Sequence, residues 1–328
     1  MTALSPAAAR SKPVTGARVP WRRLAAAALL QHKATLTACA AFAVLLALAM
    51  AVTGLILHGS GTDVFSVGPH SLWPLYNGTE TALKLVLPLM PVFAGLFLGA
   101  PLVAREIETG TARFAWVQDA GRTRWLLASV VPAALVVMVI AAGLGLEYRW
   151  WLAPLAVPDA FWVERLFALN PLPFAGWTVL SLSLGVLLGA TIHRTVPAMA
   201  ATLACGLPAM YVALAWRRNY LPPLRTAAAD ATFSARGGYG YSVPLTSQSG
   251  RRPDILSSAL GWPDGRLLTA AELRHPPAWF RSHHVQVWLT YQPGSRFFLF
   301  QLIEFGWLAL LSAFLLAAAV LVIRRGAS

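Results

Sequence analysis

The chain has 328 residues, of which 57% are hydrophobic and 12% are charged, and its mean hydropathy is +0.60. This composition excludes an ordinary soluble domain and indicates an integral membrane protein. The formal net charge of +13 is therefore interpreted first as a signal of membrane topology, because Lys and Arg concentrate in short cytoplasmic loops, and nucleic acid is not an expected partner.

A segment with one apolar face precedes the first long apolar stretch. Between Pro20 and Lys33, apolar residues recur at the spacing of one helix face, and Arg22 and Arg23 place positive charge beside them. The pattern predicts an amphipathic helix that lies along the inner surface of the bilayer. The apolar face consists of Trp21, Leu24, Ala25, Ala28 and Leu29.

Six stretches are apolar enough to cross the bilayer, whose hydrocarbon core of about 30 Å requires roughly 20 residues as a helix. Charge then orients them, because residues 1–33 carry six Lys or Arg and no acid, whereas residues 58–81 carry no Lys or Arg. The rule that positive loops stay inside therefore places both termini in the cytoplasm. The predicted spans are 34–57, 82–104, 125–146, 172–192, 196–216 and 298–323.

These spans predict an all-α integral membrane protein with one large extracytoplasmic loop between the fifth and sixth spans. The loop, residues 217–297, contains ten Arg, but a loop longer than about 60 residues crosses the membrane largely regardless of its charge. We expect it to form a small structured cap. The chain is thus divided into residues 1–33 with the interfacial helix, 34–216 with five spans, the loop 217–297, and 298–328 with the sixth span and a short cytoplasmic tail.

The stretch between the second and third spans, residues 105–124, carries too many charges to lie in lipid. Wound as a helix, it gathers Val103, Ile107, Gly110, Phe114 and Val117 on one face, opposite Arg105, Glu108, Ala112 and Asp119. It is predicted to be a cytoplasmic surface element in which Gly110 separates two short helices. Such an element would act as a lever on both attached spans.

Charged residues also occur inside two spans. Lys84 is near an outer end and can extend its ammonium group to the interface. Glu304 lies about two turns into the last span, where an acid should face protein or water. Two alternatives remain open at this point: Glu304 contacts a substrate path, or it pairs with an interfacial arginine such as Arg296.

Two Gly-x-x-x-Gly pairs occur within spans. Gly95 and Gly99 lie in the second span, and Gly185 and Gly189 lie in the fourth. Glycines at this spacing allow two helices to approach closely in a membrane, although the pattern also arises by chance in glycine-rich helices. A helix contact at these positions is therefore a hypothesis that the sequence leaves open.

The chain lacks the residues needed for ATP hydrolysis. Lys12, Lys33 and Lys84 follow Ser, His and Leu, so no Gly-Lys pair of a phosphate-binding loop is present. Adjacent His283 and His284 would point in different directions, and no nearby acid or Cys completes a metal site with His275. We therefore assign this chain no catalytic residue, no metal and no cofactor.

The order of these features resembles the membrane subunit of an ABC-2 type transporter, particularly the permeases common in actinobacteria. The resemblance rests on the amphipathic first helix, the six spans, the Arg-Glu-x-Glu-x-Gly-Thr segment that begins at Arg105, the Arg-Thr-Arg-Trp sequence that begins at Arg122, and the segment Tyr291–Gln301. It implies an ATP-driven exporter in a bacterial cell membrane. ATP and Mg²⁺ would bind a separate ATPase subunit, and a second permease copy would complete the transporter.

In that family the loop between the second and third spans is a coupling helix that contacts the ATPase. The resemblance therefore implies an ATPase-coupling interface on this chain, composed of Arg105, Glu106, Glu108, Thr109, Gly110, Thr111, Arg122 and Arg124. Three alternatives remain open: a carrier that needs no ATPase, a membrane-embedded enzyme that modifies lipids, and a membrane regulator that transports nothing. The transported cargo cannot be assigned from these residues.

Overall fold

A computed structural model describes residues 20–59, 71–111, 121–153, 167–233, 239–242 and 254–325. A short helix opens this part of the chain, and six long apolar helices able to span a membrane follow, with one more short helix before the last of them. The helices are α1 (Trp21–Gln31), α2 (Lys33–Gly59), α3 (Trp73–Glu108), α4 (Arg122–Leu152), α5 (Pro171–Ile192), α6 (Thr195–Trp216), α7 (Pro277–Ser282) and α8 (Phe297–Arg325).

The six long helices confirm the six predicted spans. The largest difference is at α3, which begins at Trp73, whereas the predicted span began at residue 82. The predicted span began after Glu80 because an acid is not expected in lipid, but in the helix Glu80 forms an ion pair of 2.6 Å with Lys84, one turn away. Lys84 therefore neutralises a neighbouring acid on its own helix.

Helix α3 changes its winding twice on its way through the bundle. A 3₁₀ turn spans Leu87–Leu89, which contains Pro88 and is followed by Pro91. A π-helical turn spans Gly95–Gly99. Proline removes one backbone donor and crowds the preceding turn, so a local change of winding at that point has a covalent cause. Beyond the π turn the helix continues regularly to Glu108.

Both Gly-x-x-x-Gly pairs lie where α3 crosses α5. A methyl group added at Gly185 would overlap the backbone of Gly95, and one added at Gly99 would overlap the backbone of Leu182. The close-contact hypothesis is thus confirmed, and the contact lies within one copy of the chain. Helix α5 is the most deeply buried of the six long helices, and it packs against α3, α4, α6 and α8.

The segment between α6 and α8 contains strands that the all-α prediction did not include. Strands β1 (Leu224–Ala227), β4 (Asp254–Gly261) and β5 (Gln286–Gln292) form an antiparallel sheet in the order β1-β5-β4, and β2 (Ala229–Phe233) pairs with β3 (Tyr239–Ser242). The all-α prediction holds for the membrane-spanning part. A cap with two small sheets describes the remainder better.

The apolar face of α1 meets protein. Leu24, Ala25, Ala28 and Leu29 are its less exposed residues, and α1 packs against α4. Trp21 belongs to the same predicted face but remains 40% exposed. The predicted stripe therefore holds α1 on the bundle, and its first residue extends beyond the contact.

Candidate functional site

The C-terminal end of α3 turns back on itself through a short hydrogen-bonded loop. The Thr109 N–H and hydroxyl both donate to the Arg105 carbonyl, at 2.9 and 2.8 Å, and the Gly110 N–H donates to Ile107 at 3.1 Å. Gly110 has a φ of +76°, which glycine adopts without strain. Helix α3 therefore ends before Gly110, and the left-handed glycine turns the chain away from the helix; the second of the two predicted short helices lies outside the described residues.

Glu106 faces the interior of this loop. Its side chain is only 7% exposed, and its carboxylate accepts a hydrogen bond from the Thr111 hydroxyl. That hydroxyl also lies 3.2 Å from the Glu106 carbonyl oxygen. Glu106 therefore closes the turn from within.

His32, at the junction of α1 and α2, interacts electrostatically with Glu106 and Arg105 of this loop. Burial lowers the pKa of its imidazole below the ordinary value of 6.5, Glu106 raises it, and Arg105 lowers it further. Electrostatics therefore connect the α1–α2 junction to the end of α3. Sequence reasoning did not place His32 at this site, because the two positions are far apart in the chain.

Glu108, the last residue of α3, reaches another helix. Its Oε2 atom accepts the backbone N–H of Thr195 at 2.9 Å and the Thr195 hydroxyl at 2.7 Å. Thr195 is the first residue of α6, so a carboxylate here also suits the positive end of that helix. Glu108 thus joins the end of α3 to the start of α6.

The remaining predicted interface residues surround this turn. Arg105, Thr109 and Thr111 are exposed, and Arg122 and Arg124 lie half-buried in the first turn of α4. The structure therefore brings both ends of the predicted coupling segment to the same side of the bundle as the start of α6. The middle of that segment, residues 112–120 with Phe114, Val117 and Asp119, lies outside the described residues.

Glu304 forms a buried ion pair with Arg217. Arg217 Nε lies 2.6 Å from Glu304 Oε2, and Arg217 Nη2 lies 2.9 Å from Oε1, so the guanidinium grips the carboxylate in a bidentate manner. Glu304 is 1% exposed. This finding favours the ion-pair alternative for Glu304 but corrects the partner, because Arg296 donates to the Pro222 carbonyl and to Gln292.

Aromatic side chains complete the surroundings of this pair. The indole N–H of Trp177 donates to Glu304 Oε1 at 2.8 Å, the Trp307 indole donates to the Tyr220 hydroxyl at 2.9 Å, and Arg217 lies over the Phe167 ring at 4.3 Å. The network joins α5, the end of α6 and α8. Arg217 was missed in the sequence, because an arginine that directly follows an apolar span ordinarily extends to the membrane interface.

An apolar cavity of about 660 Å³ opens between α2, α3, α4 and α5. Aromatic side chains on three of these helices form part of its wall, and Thr178 is one of its few polar residues. The volume falls in the range of small-molecule sites, and the lining suits an apolar molecule or a lipid chain. The aromatic residues are Phe42, Phe93, Phe97 and Phe174.

Two of the three histidines considered as metal ligands contact an aromatic ring. His275 and His283 stack on Trp279, each with its ring centroid 4.2 Å from the indole. The described residues contain no group of three side chains able to hold a metal ion.

Comparison with known proteins gives a family for this arrangement. The sequence profile described as ABC-2 membrane transporter related matches residues 33–218, which is more than half of the chain. The match contains the first five long helices and the whole connection between α3 and α4. Neither the curated proteins nor the solved structures returned a match. The chain belongs to the ABC-2 membrane transporter related family.

Proposed function

We propose that this chain is the membrane-spanning permease subunit of an ATP-driven ABC exporter, and that ATP and Mg²⁺ bind a separate ATPase subunit. The observation that carries this proposal is the family match over residues 33–218, which includes the charged connection between α3 and α4. The absence of a Gly-Lys phosphate loop from the sequence supports an ATPase on another chain.

The ATPase docks on the connection between α3 and α4. Exposure favours Arg105, Thr109, Gly110 and Thr111 as contacts, together with the first turn of α4, which contains Arg122 and Arg124. Glu106 and Glu108 act differently from the initial expectation. Glu106 closes the turn and so shapes the docking surface, whereas Glu108 joins the turn to α6.

Two copies, or one copy and a sister permease, form the transport pathway in a bacterial cell membrane, with both termini in the cytoplasm. The cavity between α2, α3, α4 and α5 has a volume of about 660 Å³, which suits a small molecule, so the route for a larger cargo lies between copies. Two differently tagged copies should purify together in detergent. Recovery of one tag alone would contradict the two-copy arrangement.

Capture of the ATPase tests the docking surface. The tagged permease is co-expressed with ATPases encoded near its gene, and both the captured ATPase and its ATP hydrolysis are measured. Arg105→Glu combined with Arg122→Glu should reduce capture, because reversing two charges opposes a complementary surface. The matched control is Arg281→Glu, an exposed arginine of α7 in the outer segment.

The outcomes separate clearly. Reduced capture by the Arg105 and Arg122 variant, with normal capture by the Arg281 variant, supports the docking surface. Equal capture and equal ATP hydrolysis by all three proteins would contradict it. If no ATPase encoded nearby binds the unaltered chain, the permease proposal itself fails.

A further inference from the structure

The hydrogen bonds between Glu108 and Thr195 join two helices that are remote in sequence. The two residues are 87 positions apart, one at the end of α3 and the other at the start of α6. A single carboxylate oxygen accepts both the N–H and the hydroxyl. Hydrogen bonds to a charged acceptor are stronger than neutral ones, and the positive end of α6 adds to the attraction.

Small residues bring α3 and α6 together next to this contact. Ala100 and Ala104 of α3 pack against Ala198 of α6, and all three are fully buried. One turn of helix separates Ala198 from Thr195, so the packed alanines and the hydrogen bonds form one continuous contact. Helices α3 and α6 are therefore joined both by packing and by the carboxylate at their cytoplasmic ends.

Helix α5 belongs to the same unit. Its Gly185 and Gly189 leave no room for a side chain against the backbone of α3, and α6 follows α5 after only His193 and Arg194. Close-packed interiors transmit displacement with little compression. A displacement of the α3 end therefore reaches α6 by two routes, through α5 and through Glu108.

The opposite end of α6 leads to the buried ion pair. Helix α6 has 22 residues, and Arg217 follows it directly and binds Glu304 of α8. A helix of this length spans about 33 Å at 1.5 Å per residue. Helix α6 thus connects the cytoplasmic contact at Glu108 with the ion pair at the other end of the bundle.

We infer that Glu108 is a positioning residue that couples the cytoplasmic segment to α6, so that displacement of the segment by the ATPase moves α3 and α6 together. This inference rests on the proposed function. It assigns a task to Glu108 that differs from direct contact with the ATPase. When the acceptor oxygen at residue 108 is lost, the ATPase should still bind, but α6 should follow the movement less fully.

Three variants separate the hydrogen bonds from other effects. Glu108→Ala removes the acceptor, whereas Glu108→Gln keeps an oxygen at the same place. Thr195→Pro removes both donors, and proline is tolerated there because residue 195 is the first of its helix and Arg194 before it is extended, with φ −128° and ψ 129°. The control is Thr191→Ala, because the Thr191 hydroxyl donates to the Leu187 and Leu188 carbonyls of its own helix.

Movement of α6 is measured between two spin labels. Cysteines replace Leu45 of α2 and Tyr211 of α6, which are 65% and 75% exposed, in a chain whose Cys39 and Cys205 are replaced by Ala. The labelled chain is diluted with unlabelled chain, reconstituted with its ATPase in lipid nanodiscs, and studied by pulsed electron resonance. Distances without nucleotide are compared with those after trapping with ATP and vanadate.

The expected result is a nucleotide-dependent shift in the Leu45–Tyr211 label distance of the background protein and of the Glu108→Gln and Thr191→Ala variants. The shift should be clearly smaller in Glu108→Ala and in Thr195→Pro, because only the packed helices then transmit the displacement, while ATPase capture stays unchanged. A shift of undiminished size in both of these variants, or an equal reduction in Thr191→Ala, would overturn the inference. An ATPase that binds and hydrolyses ATP without any shift in the background protein would overturn it as well. Failure to capture an ATPase at all would instead count against the proposed function.

Discussion

Arg217 and Glu304 form a bidentate ion pair in the interior of the protein, although 87 residues separate them in the chain. Their side chains are 4% and 1% exposed. The pair joins the end of α6 to α8, and Trp177 of α5 adds a third hydrogen-bonding helix. Removing water from two charges is costly, so the value of this pair depends on both partners remaining in place.

Loss of one charge from this pair should therefore destabilise the bundle strongly. Glu304→Gln keeps the shape of the side chain but removes the negative charge that the buried Arg217 guanidinium binds, which costs about 3–5 kcal/mol. The free energy of unfolding, measured by titration with dodecyl sulfate, checks this value. A double variant with Arg217→Gln should recover part of the loss, and a cycle over the four proteins isolates the coupling. A loss in the double variant equal to the sum of the two single losses would contradict the pairing.

The close approach of α3 and α5 predicts opposite effects for two glycine substitutions. Gly185→Ala places a methyl group into the backbone of α3 and should cost about 1–3 kcal/mol of unfolding free energy. Gly143→Ala, in α4, has no atom within 4 Å of the new methyl group and should gain about 0.5–1 kcal/mol from helix propensity. Unfolding free energies of the two variants in the same micelles provide the comparison. A neutral Gly185→Ala would show that the helices lie further apart.

The His32 imidazole should titrate below its ordinary pKa of 6.5, because burial disfavours its charged form. Its stabilising effect as a neutral group is then complete above the unfolded value of about 6.5 and is lost as the pH falls through the folded pKa. Glu106→Gln should lower this pKa further, since the anion that raises it is gone, and Arg105→Gln should raise it. Nuclear magnetic resonance titration of labelled histidines checks these directions, with His32→Gln identifying the resonance. A folded pKa of 6.5 or higher would contradict the placement of His32.

Glu272, which lies between β4 and α7, should remain ionised in unusually acidic solution. The Thr269 N–H and hydroxyl donate to its carboxylate at 2.7 and 2.9 Å, Arg266 approaches at 3.2 Å, and together they lower its pKa from 4.5 to about 2. Its stabilisation is present above pH 4.5 and disappears as the pH falls through about 2.

Thermal unfolding of the Glu272→Gln variant checks this range. The melting temperature of the wild-type protein should exceed that of the variant by a constant amount above pH 4.5, and the difference should shrink below that pH. Thr269→Ala removes one of the donors and should move the decline toward higher pH. A difference that stays constant down to pH 2 would contradict the hydrogen-bonded arrangement.

Local patterns predicted much of this structure. The sequence Thr269-Ala-Ala-Glu272 has the spacing of a capping box, and the Thr269 and Glu272 side chains each accept the backbone N–H of the other residue. The apolar stripe of α1 and the break at Gly110 were likewise visible in the sequence, because each depends on residues a few positions apart. The sheet formed by β1, β5 and β4 was missed because β1 has only four residues and pairs with β5, a strand more than 50 positions later.

The sequence by itself determined the number of spans, their approximate ends and the membrane class, because the length of an apolar run and the charges beside it set these properties. Only the tertiary structure decided that Glu304 pairs with Arg217 and that Glu108 binds Thr195. Each of these pairs depends on how two helices rotate and pack against each other. That arrangement results from contacts spread over the whole bundle, such as the glycines between α3 and α5, and no short stretch of sequence contains it.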